Sequence, residues 1–494
     1  MSALWELASR APSDIAVDDT THSLTWGELD ERTNRFGHAL ESLAPPGSHV
    51  AIVAGNRLEF LEAVIGAWRA GYVNTPLKSS WTAREIDQVL EDAGTKVVVT
   101  DRDAARAAAA ERGIAVIDFD AGYESLLAGA SAAPLPADRC GWRMSYTSGT
   151  TGRPKGVVRA GVETTPFPAA WAASTGYAEM LQLPREGVHL FGSRLFNGAP
   201  LTFGLAALAH GARLRIMPRW DAVEALALLG DPEVTSTVMV PTMFRQLLAL
   251  PDVDRSRPAA PGLRTLLHGG EPCPAPVKRA ILDWFGPVLI EYYGFTEGAM
   301  TFADSAAWLA RPGTVGKPMA GLDVCVVDDH GSVLPPRTEG TVAFVPAEGE
   351  RRFRYLNDDG KTDAAHVGGA FTVRDVGWVD EDGYLYISGR AADVVITAGM
   401  NVYPAEIEDA LADVPGVADL CAVGAPDEER GEVVALFVTL LPGADEPSVR
   451  AALDAAAADR LARYKRPATT LVVNEIPRDP TGKLLRAPLR DSLR

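Results

Sequence analysis

The chain has 494 residues, with 47 Lys and Arg against 65 Asp and Glu, which gives a formal net charge of −18. At roughly 150 residues per domain, this length predicts about three structural units, or one large domain with a small one. The composition, 47% hydrophobic and 23% charged, excludes a wholly disordered chain and a fibrous one. The acidic balance argues against nucleic acid as a partner, because phosphate backbones bind basic surfaces. It is compatible with a small phosphate ligand held by a local loop.

The cysteines and the N-terminus predict a cytoplasmic protein. The cysteines lie far apart in sequence, so they form no CxxC metal or redox motif; they are Cys140, Cys273, Cys325 and Cys421. Glu6 and Arg10 stand where a signal peptide needs an apolar core. The apolar runs end well before the roughly 20 residues that a membrane helix requires, so we expect no membrane span.

Strand-like and helix-like segments alternate through the first half of the chain. Helical patterns cover residues 26–43, 59–70, 82–93, 201–210, 222–229 and 242–250. Strand patterns cover residues 49–54, 96–100, 188–191, 213–217 and 237–240. This alternation predicts βαβ units and mainly parallel sheets.

The character of the sequence changes towards the C-terminus. Residues 313–345 hold short β-rich runs separated by turns, which predict a β-rich subdomain. The last ~100 residues contain about two helices, at 404–411 and 448–461, and three strands, enough for a small α+β domain. We therefore predict an α/β fold with an N-terminal domain over residues 1–388 and a smaller, mobile C-terminal domain over residues 389–494.

A segment rich in Gly and Thr, residues 146–156, follows a predicted strand at 143–146. Glycines let the backbone approach a ligand closely, and backbone N–H groups, hydroxyls and a lysine together suit a polyphosphate. The lysine spacing differs from that of a Walker loop. A flexible surface loop would explain the glycines but not the density of Thr and Lys. The candidate phosphate-binding residues are Thr147, Ser148, Gly149, Thr150, Thr151, Gly152 and Lys155.

This segment resembles the phosphate loop of the AMP-forming acyl-adenylate enzymes. Further segments resemble other motifs of that superfamily, in the same order and over nearly the whole chain. They are His268-Gly-Gly-Glu-Pro-Cys-Pro274, Glu291-Tyr-Tyr-Gly-Phe-Thr-Glu297, Asp375 within residues 372–377, Gly389-Arg390, and Pro480-Thr-Gly-Lys483. Within the superfamily, the run from 268 to 298 is most similar to bacterial fatty-acyl and aryl-CoA ligases.

The resemblance implies an enzyme that activates a carboxylic acid with ATP. The acid attacks the α-phosphate to form an acyl-adenylate and pyrophosphate, and coenzyme A then takes the acyl group as a thioester. Charge builds up on the phosphate oxygens, so fixed donors and cations are needed. Mg²⁺ keeps several waters and takes only one or two carboxylates, so a single glutamate suffices to hold it.

The resemblance also assigns roles to individual residues. Thr296 would contact the α-phosphate, Glu297 would bind Mg²⁺, and Lys483 would bridge the attacking carboxylate and the α-phosphate. The nucleotide itself would be held by Gly270, Glu271 and Pro272 in the adenine-side loop, Tyr293 stacking on adenine, Gly294, Asp375 on the ribose hydroxyls and Arg390 beside it. In a second orientation of the C-terminal domain, Gly399 would leave room for the pantetheine arm.

The chain departs from the family pattern at Asn197, which stands where relatives usually have a histidine near the substrate carboxylate. Asparagine keeps a hydrogen-bonding amide but cannot titrate. The neighbouring Gly198 offers no carboxylate to an α-ammonium group, so α-amino acids are disfavoured substrates. In the hinge, Ala392 and then Asp393 follow Arg390, where many relatives have Asp or Lys two residues after the arginine.

Other functions stay open at this stage. The acyl acceptor could be a carrier protein or a non-thiol nucleophile, and the chain could bind an adenine nucleotide without turnover. A hydrolase is disfavoured because no GxSxG motif occurs. We expect the acid pocket among Phe196, Phe203, residues 294–301 and the segment after Lys155, and we expect Phe167 and Trp171 to be core residues.

Overall fold

The computed structural model describes most of the chain. The described residues are 4–19, 21–147, 154–251, 253, 255, 259–347, 351–390, 393–397, 400–427, 429–479 and 484–493.

Strands and helices alternate along the described residues. The helices are α1 Leu4–Arg10, α2 Trp26–Glu41, α3 Leu58–Arg69, α4 Ala83–Ala93, α5 Asp103–Glu111, α6 Tyr123–Gly129, α7 Phe167–Met180, α8 Gly198–His210, α9 Ala222–Leu229, α10 Pro241–Leu248, α11 Ala275–Phe285, α12 Ser305–Ala310, α13 Asp359–Ala365, α14 Pro404–Leu411, α15 Glu446–Arg460 and α16 Arg486–Asp491. The strands are β1 Ile15–Asp18, β2 Ser23–Thr25, β3 His49–Val53, β4 Val73–Pro76, β5 Val97–Thr100, β6 Ala115–Asp118, β7 Trp142–Arg143, β8 Ser145–Thr147, β9 Lys155–Arg159, β10 Val188–Phe191, β11 Arg213–Ile216, β12 Val234–Met239, β13 Thr265–Gly269, β14 Leu289–Gly294, β15 Met300–Asp304, β16 Thr314–Pro318, β17 Leu322–Val327, β18 Gly340–Pro346, β19 Phe353–Tyr355, β20 His366–Val367, β21 Ala370–Phe371, β22 Asp375–Val379, β23 Leu385–Arg390, β24 Val395–Thr397, β25 Met400–Val402, β26 Val417–Asp427, β27 Gly431–Leu440 and β28 Thr469–Val472.

The largest sheet has a parallel half and an antiparallel half. Strands β1, β11, β10, β12, β13 and β14 pair in parallel in that order. From β14 the sheet continues antiparallel through β15, β16, β23, β22 and β18. The antiparallel half is the β-rich subdomain expected from residues 313–345.

Smaller sheets accompany the large one. Strands β6, β5, β3, β4 and β7 form a second parallel sheet, and β8, β9 and β19 form a short antiparallel one. The C-terminal part has its own sheet of β25, β24, β27 and β26, with β28 parallel to β27. Helices cover the parallel sheets, as fully buried strands such as β5 require.

Local sequence explains where several helices begin and end. Thr25 with Glu28, and Thr82 with Glu85, form complete capping boxes at the starts of α2 and α4. Helix α4 ends at Gly94, whose φ of 60° is the left-handed conformation that glycine adopts most easily. The apolar faces of α2 and α3 meet in the main core, where Leu29 and Phe60 are fully buried.

The predicted α/β class, with a large N-terminal and a smaller C-terminal part, is confirmed. The C-terminal part, in its described residues, has five strands where the sequence suggested about three. The difference arises because β24 and β25 are too short to give a strand pattern. Strand β23 also continues through Gly389 and Arg390, which pair with Val376 and Asp375 of β22, so these two residues belong to the large sheet.

None of the described helices is both long and apolar enough to cross a lipid bilayer.

Candidate active site

The ends of the predicted phosphate loop meet in a tight hairpin. Strands β8 and β9 are antiparallel, and Thr147 at the end of β8 pairs with Lys155 at the start of β9. Candidate residues Ser148, Gly149, Thr150, Thr151 and Gly152 lie outside the described residues. The hairpin fixes both ends of the loop, so Lys155 and Thr147 stand side by side at its base.

A third strand brings an unanticipated tyrosine to the loop. Strand β19 pairs with β9 and sets Tyr355 opposite Val157. The Nζ of Lys155 lies 5.1 Å from the centre of the Tyr355 ring, and the Tyr355 hydroxyl donates to Oε1 of Glu297 at 2.6 Å. Burial and the Glu297 carboxylate raise the pKa of Tyr355 well above its ordinary value, so the hydroxyl stays a donor. Glu297, predicted to bind Mg²⁺, is therefore held in place beside Lys155.

The adenine-side loop lies where two parallel strands end. The carboxyl ends of β13 and β14 adjoin, and ligands of open α/β sheets bind at this edge. Gly270 follows β13 with a φ of 84°, and a Cβ on Gly294 would stand 2.6 Å from the carbonyl oxygen of Ala299. Both positions therefore favour glycine.

Glu271 joins the adenine-side loop to two other segments. Its Oε1 accepts from the backbone N–H of Thr242 at 2.5 Å, and its Oε2 accepts from Arg478 at 2.7 Å. Arg478 also donates to Asp419 at 2.7 Å. Burial alone would lower the pKa of Arg478, but the carboxylates of Asp419 and Glu271 raise it above its ordinary value.

The predicted ribose-side residues form one chain of contacts. The Tyr293 hydroxyl donates to Oδ2 of Asp375 at 2.6 Å, and Nε of Arg390 lies 3.5 Å from Oδ1 of Asp375. Asp375 and Arg390 are cross-strand partners in β22 and β23. Burial, with the Asp375 carboxylate, raises the pKa of Tyr293 well above its ordinary value.

These groups surround one cavity of about 830 Å³. Cavities of this size hold drug-sized ligands and cofactors. Its walls include predicted nucleotide-binding residues from separate motifs, namely Gly270, Glu271, Pro272, Tyr293, Gly294, Asp375 and Arg390. Its other wall comes from the C-terminal part, including Arg478 and Asp479.

The segment that leads to Lys483 is docked against the N-terminal part. Besides the Arg478–Glu271 pair, Asp479 accepts from Lys78 at 2.8 Å, and Asp409 accepts from the backbone N–H of Ala275 at 2.7 Å. Lys483 itself, and Gly399, lie outside the described residues. Their predicted roles stay predictions.

Thr296 and Asn197 lie near a second, smaller cavity. Thr296 lines it, and the carbonyl of Thr296 accepts from Nε of Arg159 at 3.1 Å. Asn197 is the residue before α8, and its side chain makes no capping hydrogen bond there. Its amide is therefore not occupied by the helix end. The structure also buries Phe167 and Trp171 in the core, as expected.

The sequence alone did not identify Tyr355 and Arg478 as residues of the site. Tyr355 has no motif around it, and 58 residues separate it from Glu297. Arg478 stands two residues before the Pro480-Thr-Gly-Lys483 segment, and this closeness to a recognised motif was the available signal. The described residues contain no group of three or more His, Cys, Asp or Glu side chains that could form a metal site.

A mixed α/β fold whose glycine-flanked strand ends and buried carboxylates line a cavity of cofactor size has the architecture of a nucleotide-binding protein. The chain belongs to the AMP-binding enzymes: residues 4–344 match the family described as AMP-binding enzyme, and residues 406–483 match the AMP-binding enzyme C-terminal domain.

Curated relatives match over nearly their full length. The chain is 32% identical to the long-chain-fatty-acid–CoA ligase FadD13 of Mycobacterium tuberculosis, covering 99% of this chain and 97% of the relative. It is also 32% identical to the fatty acid–[acyl-carrier-protein] ligase ScoC of Streptomyces coeruleorubidus, over 98% and 94% of the two chains. Among solved structures, o-succinylbenzoate CoA synthetase (MenE) of Bacillus subtilis with its acyl-adenylate intermediate matches with a TM-score of 0.84 and 26% identity, over 99% of this chain and 97% of that one.

Proposed function

We propose that this AMP-binding enzyme couples a carboxylic acid to coenzyme A in two half-reactions, through an acyl-adenylate. The observation that carries the proposal is the 830 Å³ cavity, whose walls combine the adenine-side loop, the Tyr293–Asp375–Arg390 contacts and the docked C-terminal segment. The named activities of FadD13 and MenE, both CoA ligases, support the same reaction class.

In the first half-reaction, the residues of the cavity hold ATP and orient its α-phosphate. Asp375 accepts hydrogen bonds from the ribose hydroxyls, and the hairpin loop that ends at Lys155 holds the outer phosphates. The acid's carboxylate oxygen attacks the α-phosphorus, the bond from that phosphorus to the β-phosphate's bridging oxygen breaks, and pyrophosphate leaves. Lys483 neutralises charge on the attacking and phosphate oxygens.

Glu297 is suited to act as a magnesium ligand. One of its oxygens accepts from Tyr355, and Oε2 has no hydrogen-bond partner among the described residues, so it is available to a cation. Bound Mg²⁺ would neutralise phosphate charge and so favour departure of pyrophosphate. The protein supplies one carboxylate, in keeping with an ion that keeps waters and takes phosphate oxygens for most of its ligands.

In the second half-reaction, the thiol attacks the acyl carbon and AMP leaves. Pyrophosphate exit and thiol entry need different walls, so the C-terminal domain would rotate between the two steps. The loop between β24 and β25, which includes Gly399, would then face the thiol. In the present orientation, Lys465 of the C-terminal part is paired with Glu406 at 2.6 Å.

The experiment that tests the proposed reaction is pyrophosphate release from ATP with a panel of aliphatic and aromatic acids, with and without CoA. We expect pyrophosphate from a subset of acids, and AMP and a thioester when CoA is added. Nucleotide binding with no pyrophosphate from any acid would contradict the proposal.

The carrier-protein alternative is favoured by one observation, the likeness to ScoC, whose name gives an acyl-carrier protein as its acceptor. Consumption of free CoA at a rate matching AMP release would exclude it. Pyrophosphate release without CoA consumption, with acyl transfer to a purified holo-carrier protein, would establish it.

Lys483→Ala separates the two half-reactions in the same assay. We expect pyrophosphate release to fall by several orders of magnitude, because Lys483 faces charge in the first step, while thioester formation from a synthetic acyl-adenylate survives. Lys96→Ala, which removes an exposed lysine directly before β5, is the matched control. Equal loss in both half-reactions would contradict the assigned role.

A further inference from the structure

The smaller cavity, about 390 Å³ in volume, has an unusual electrostatic composition. It lies between helices α7 and α8 and the hairpin of β8 and β9. Two arginines line it, Arg143 and Arg159, and none of the described residues around it is acidic. Arg143 is half-buried and Arg159 is exposed, and a concave site lined by charges of one sign attracts a ligand of the opposite sign.

The two arginines reach the cavity from different elements. Arg143 belongs to β7, which pairs with β4, and Arg159 is the last residue of β9. Burial, with the charge of Arg159, lowers the pKa of Arg143 to about 10, so the two guanidinium groups are close enough to repel each other. The cavity therefore carries positive charge that an anionic ligand would neutralise.

The hydrogen-bond acceptors that contact the arginines do not neutralise this charge. Arg143 donates to the carbonyl of Gly198 at 3.4 Å and to Oγ1 of Thr202 at 2.5 Å, and Arg159 donates to the carbonyl of Thr296 at 3.1 Å. These acceptors are neutral. Among the described residues no carboxylate lies within 4.0 Å of either guanidinium, although the more distant Glu297 acts on Arg159 electrostatically.

The position of the cavity links it to the acid rather than to the outer phosphates. Arg159 lies at the far end of β9 from Lys155, about 13 Å along the strand at ~3.3 Å per residue. Arg143 contacts the first turn of α8, directly after Asn197 and Gly198, where the substrate carboxylate is expected. The other walls are partly apolar and include Trp68 and Leu205, which suits a carbon skeleton.

We infer that the preferred acid is dianionic: a dicarboxylic acid whose second carboxylate is bound by Arg159 and Arg143 while the first is adenylated. This inference rests on the proposed function and names its substrate class. Paired charge-assisted hydrogen bonds from guanidinium to carboxylate are among the strongest polar contacts in proteins.

The test compares monoacids and diacids that share a carbon skeleton, such as pentanoate with glutarate, hexanoate with adipate, and benzoate with terephthalate. The measurement is kcat/KM for pyrophosphate release with each acid. For at least one pair we expect the diacid to be preferred by about tenfold or more, because binding only the monoacid leaves the arginines unpaired. A preference for the monoacid in every pair would overturn the inference and leave the proposed function intact.

Substitution of Arg159 makes the test specific. In Arg159→Gln we expect kcat/KM for the diacid to fall about 10–100-fold, the usual effect of losing a hydrogen bond to a charged group, while the monoacid changes by less than about threefold. Arg159→Lys keeps a positive charge and should keep part of the diacid preference. Arg337→Gln, which removes an exposed arginine far from the cavity, is the matched control.

Other outcomes contradict the inference. An equal loss for both members of a pair would make Arg159 part of the common machinery. A rise in KM for ATP or CoA with unchanged acid preference would assign the arginines to a phosphate. Thermal unfolding of the parent protein and Arg159→Gln, with the diacid and without ATP, gives a second readout: we expect the diacid to raise Tm in the parent only.

Discussion

At the scale of single residues, the site depends on side chains that orient other side chains. Glu297 is the predicted magnesium ligand, yet its position is set by the Tyr355 hydroxyl at 2.6 Å. Partners that orient a metal ligand typically contribute 10–100-fold to metal affinity or activity. Tyr355 is therefore a positioning residue, and its contribution is measurable apart from that of Glu297.

Tyr355→Phe removes this hydroxyl and little else. We expect the Mg²⁺ concentration for half-maximal pyrophosphate release to rise about tenfold or more, because Glu297 loses the donor that fixes it. Tyr384→Phe, at a half-buried position directly before β23, is the matched control. A lower kcat at saturating Mg²⁺ with an unchanged Mg²⁺ requirement would contradict this positioning role.

Asn197 is a residue at which the chain departs from the family pattern, and its side chain can be truncated without removing a helix cap. Its side chain does not cap α8, so truncation should not weaken the helix. We expect Asn197→Ala to lower kcat/KM for the preferred acid by about 10–100-fold while an analogue lacking its polar group is hardly affected, because an unpaired buried polar group costs roughly 1–3 kcal/mol.

Two further measurements distinguish the possible roles of the Asn197 side chain. Asn197→His, which restores the usual family residue, should change the rate by less than about tenfold, or ~1.4 kcal/mol in barrier height. A uniform loss for both acids in Asn197→Ala would mean that the side chain handles the carboxylate that all substrates share.

At the scale of elements, the turn before β22 carries backbone strain at a functional position. Arg374 adopts a φ of 63°, in the left-handed region, directly before Asp375. Its N–H donates to Oγ1 of Thr372 at 2.9 Å, which holds the turn in this conformation. Glycine would adopt this positive φ without a steric penalty.

Arg374→Gly should relieve this strain. A residue with a side chain in the left-handed conformation destabilises the folded state by about 1–2 kcal/mol. Glycine removes this strain but loses more conformational entropy on folding, which offsets part of the benefit. We therefore expect the free energy of unfolding to rise by up to about 1 kcal/mol. Urea unfolding measures it, and Arg374→Ala, which keeps the Cβ, is the control that should show no gain. Equal stability of the Gly and Ala variants would show that the turn is not strained.

The predicted bounds agree with the structure for elements that have a strong local sequence pattern. They agree less well for elements whose extent depends on packing against residues distant in sequence. The helix α9, Ala222–Leu229, and the strand β10, Val188–Phe191, have the predicted bounds. Strand β12 begins at Val234, three residues before the predicted start, because Thr235 and Ser236 are buried in a parallel sheet although they are polar. Burial by neighbouring strands, which the sequence does not show, decides such cases.

The same division holds for the site. Motif residues such as Glu271 and Asp375 can be proposed from the sequence because each lies in a recognisable segment, and their roles stay predictions. Tyr355, Arg478 and the pair Arg143 and Arg159 were not assigned, because their roles come from neighbours that the chain reaches only after folding. The register of β9 and β19 brings Tyr355 to Lys155, and folding places Arg143 of β7 near Arg159 of β9.

At the scale of the whole molecule, the proposed two-step reaction requires the C-terminal domain to turn, and the ion pairs locate the pivot. Arg390 pairs with Asp375 of the large sheet, while Asp393 pairs with Arg490 of the C-terminal part at 3.2 Å. The chain passes from one body to the other between these residues, through Ala391 and Ala392, which lie outside the described residues. Contacts such as Arg478–Glu271 would have to break on rotation.

Ala392→Pro tests whether this pivot is used. Proline fixes its own φ near roughly −65° and restricts the residue before it, so the variant should favour one domain orientation. We expect pyrophosphate release in the first turnover to be largely retained, and steady-state thioester formation to fall about tenfold or more, because the second orientation is no longer reached. Rapid-quench measurement of pyrophosphate and thioester in the same reaction separates the two steps. Ala392→Gly, which leaves the backbone free, is the matched control and should turn over like the parent enzyme. Unchanged steady-state turnover in Ala392→Pro would show that the acyl group reaches the thiol without a rotation about this pivot.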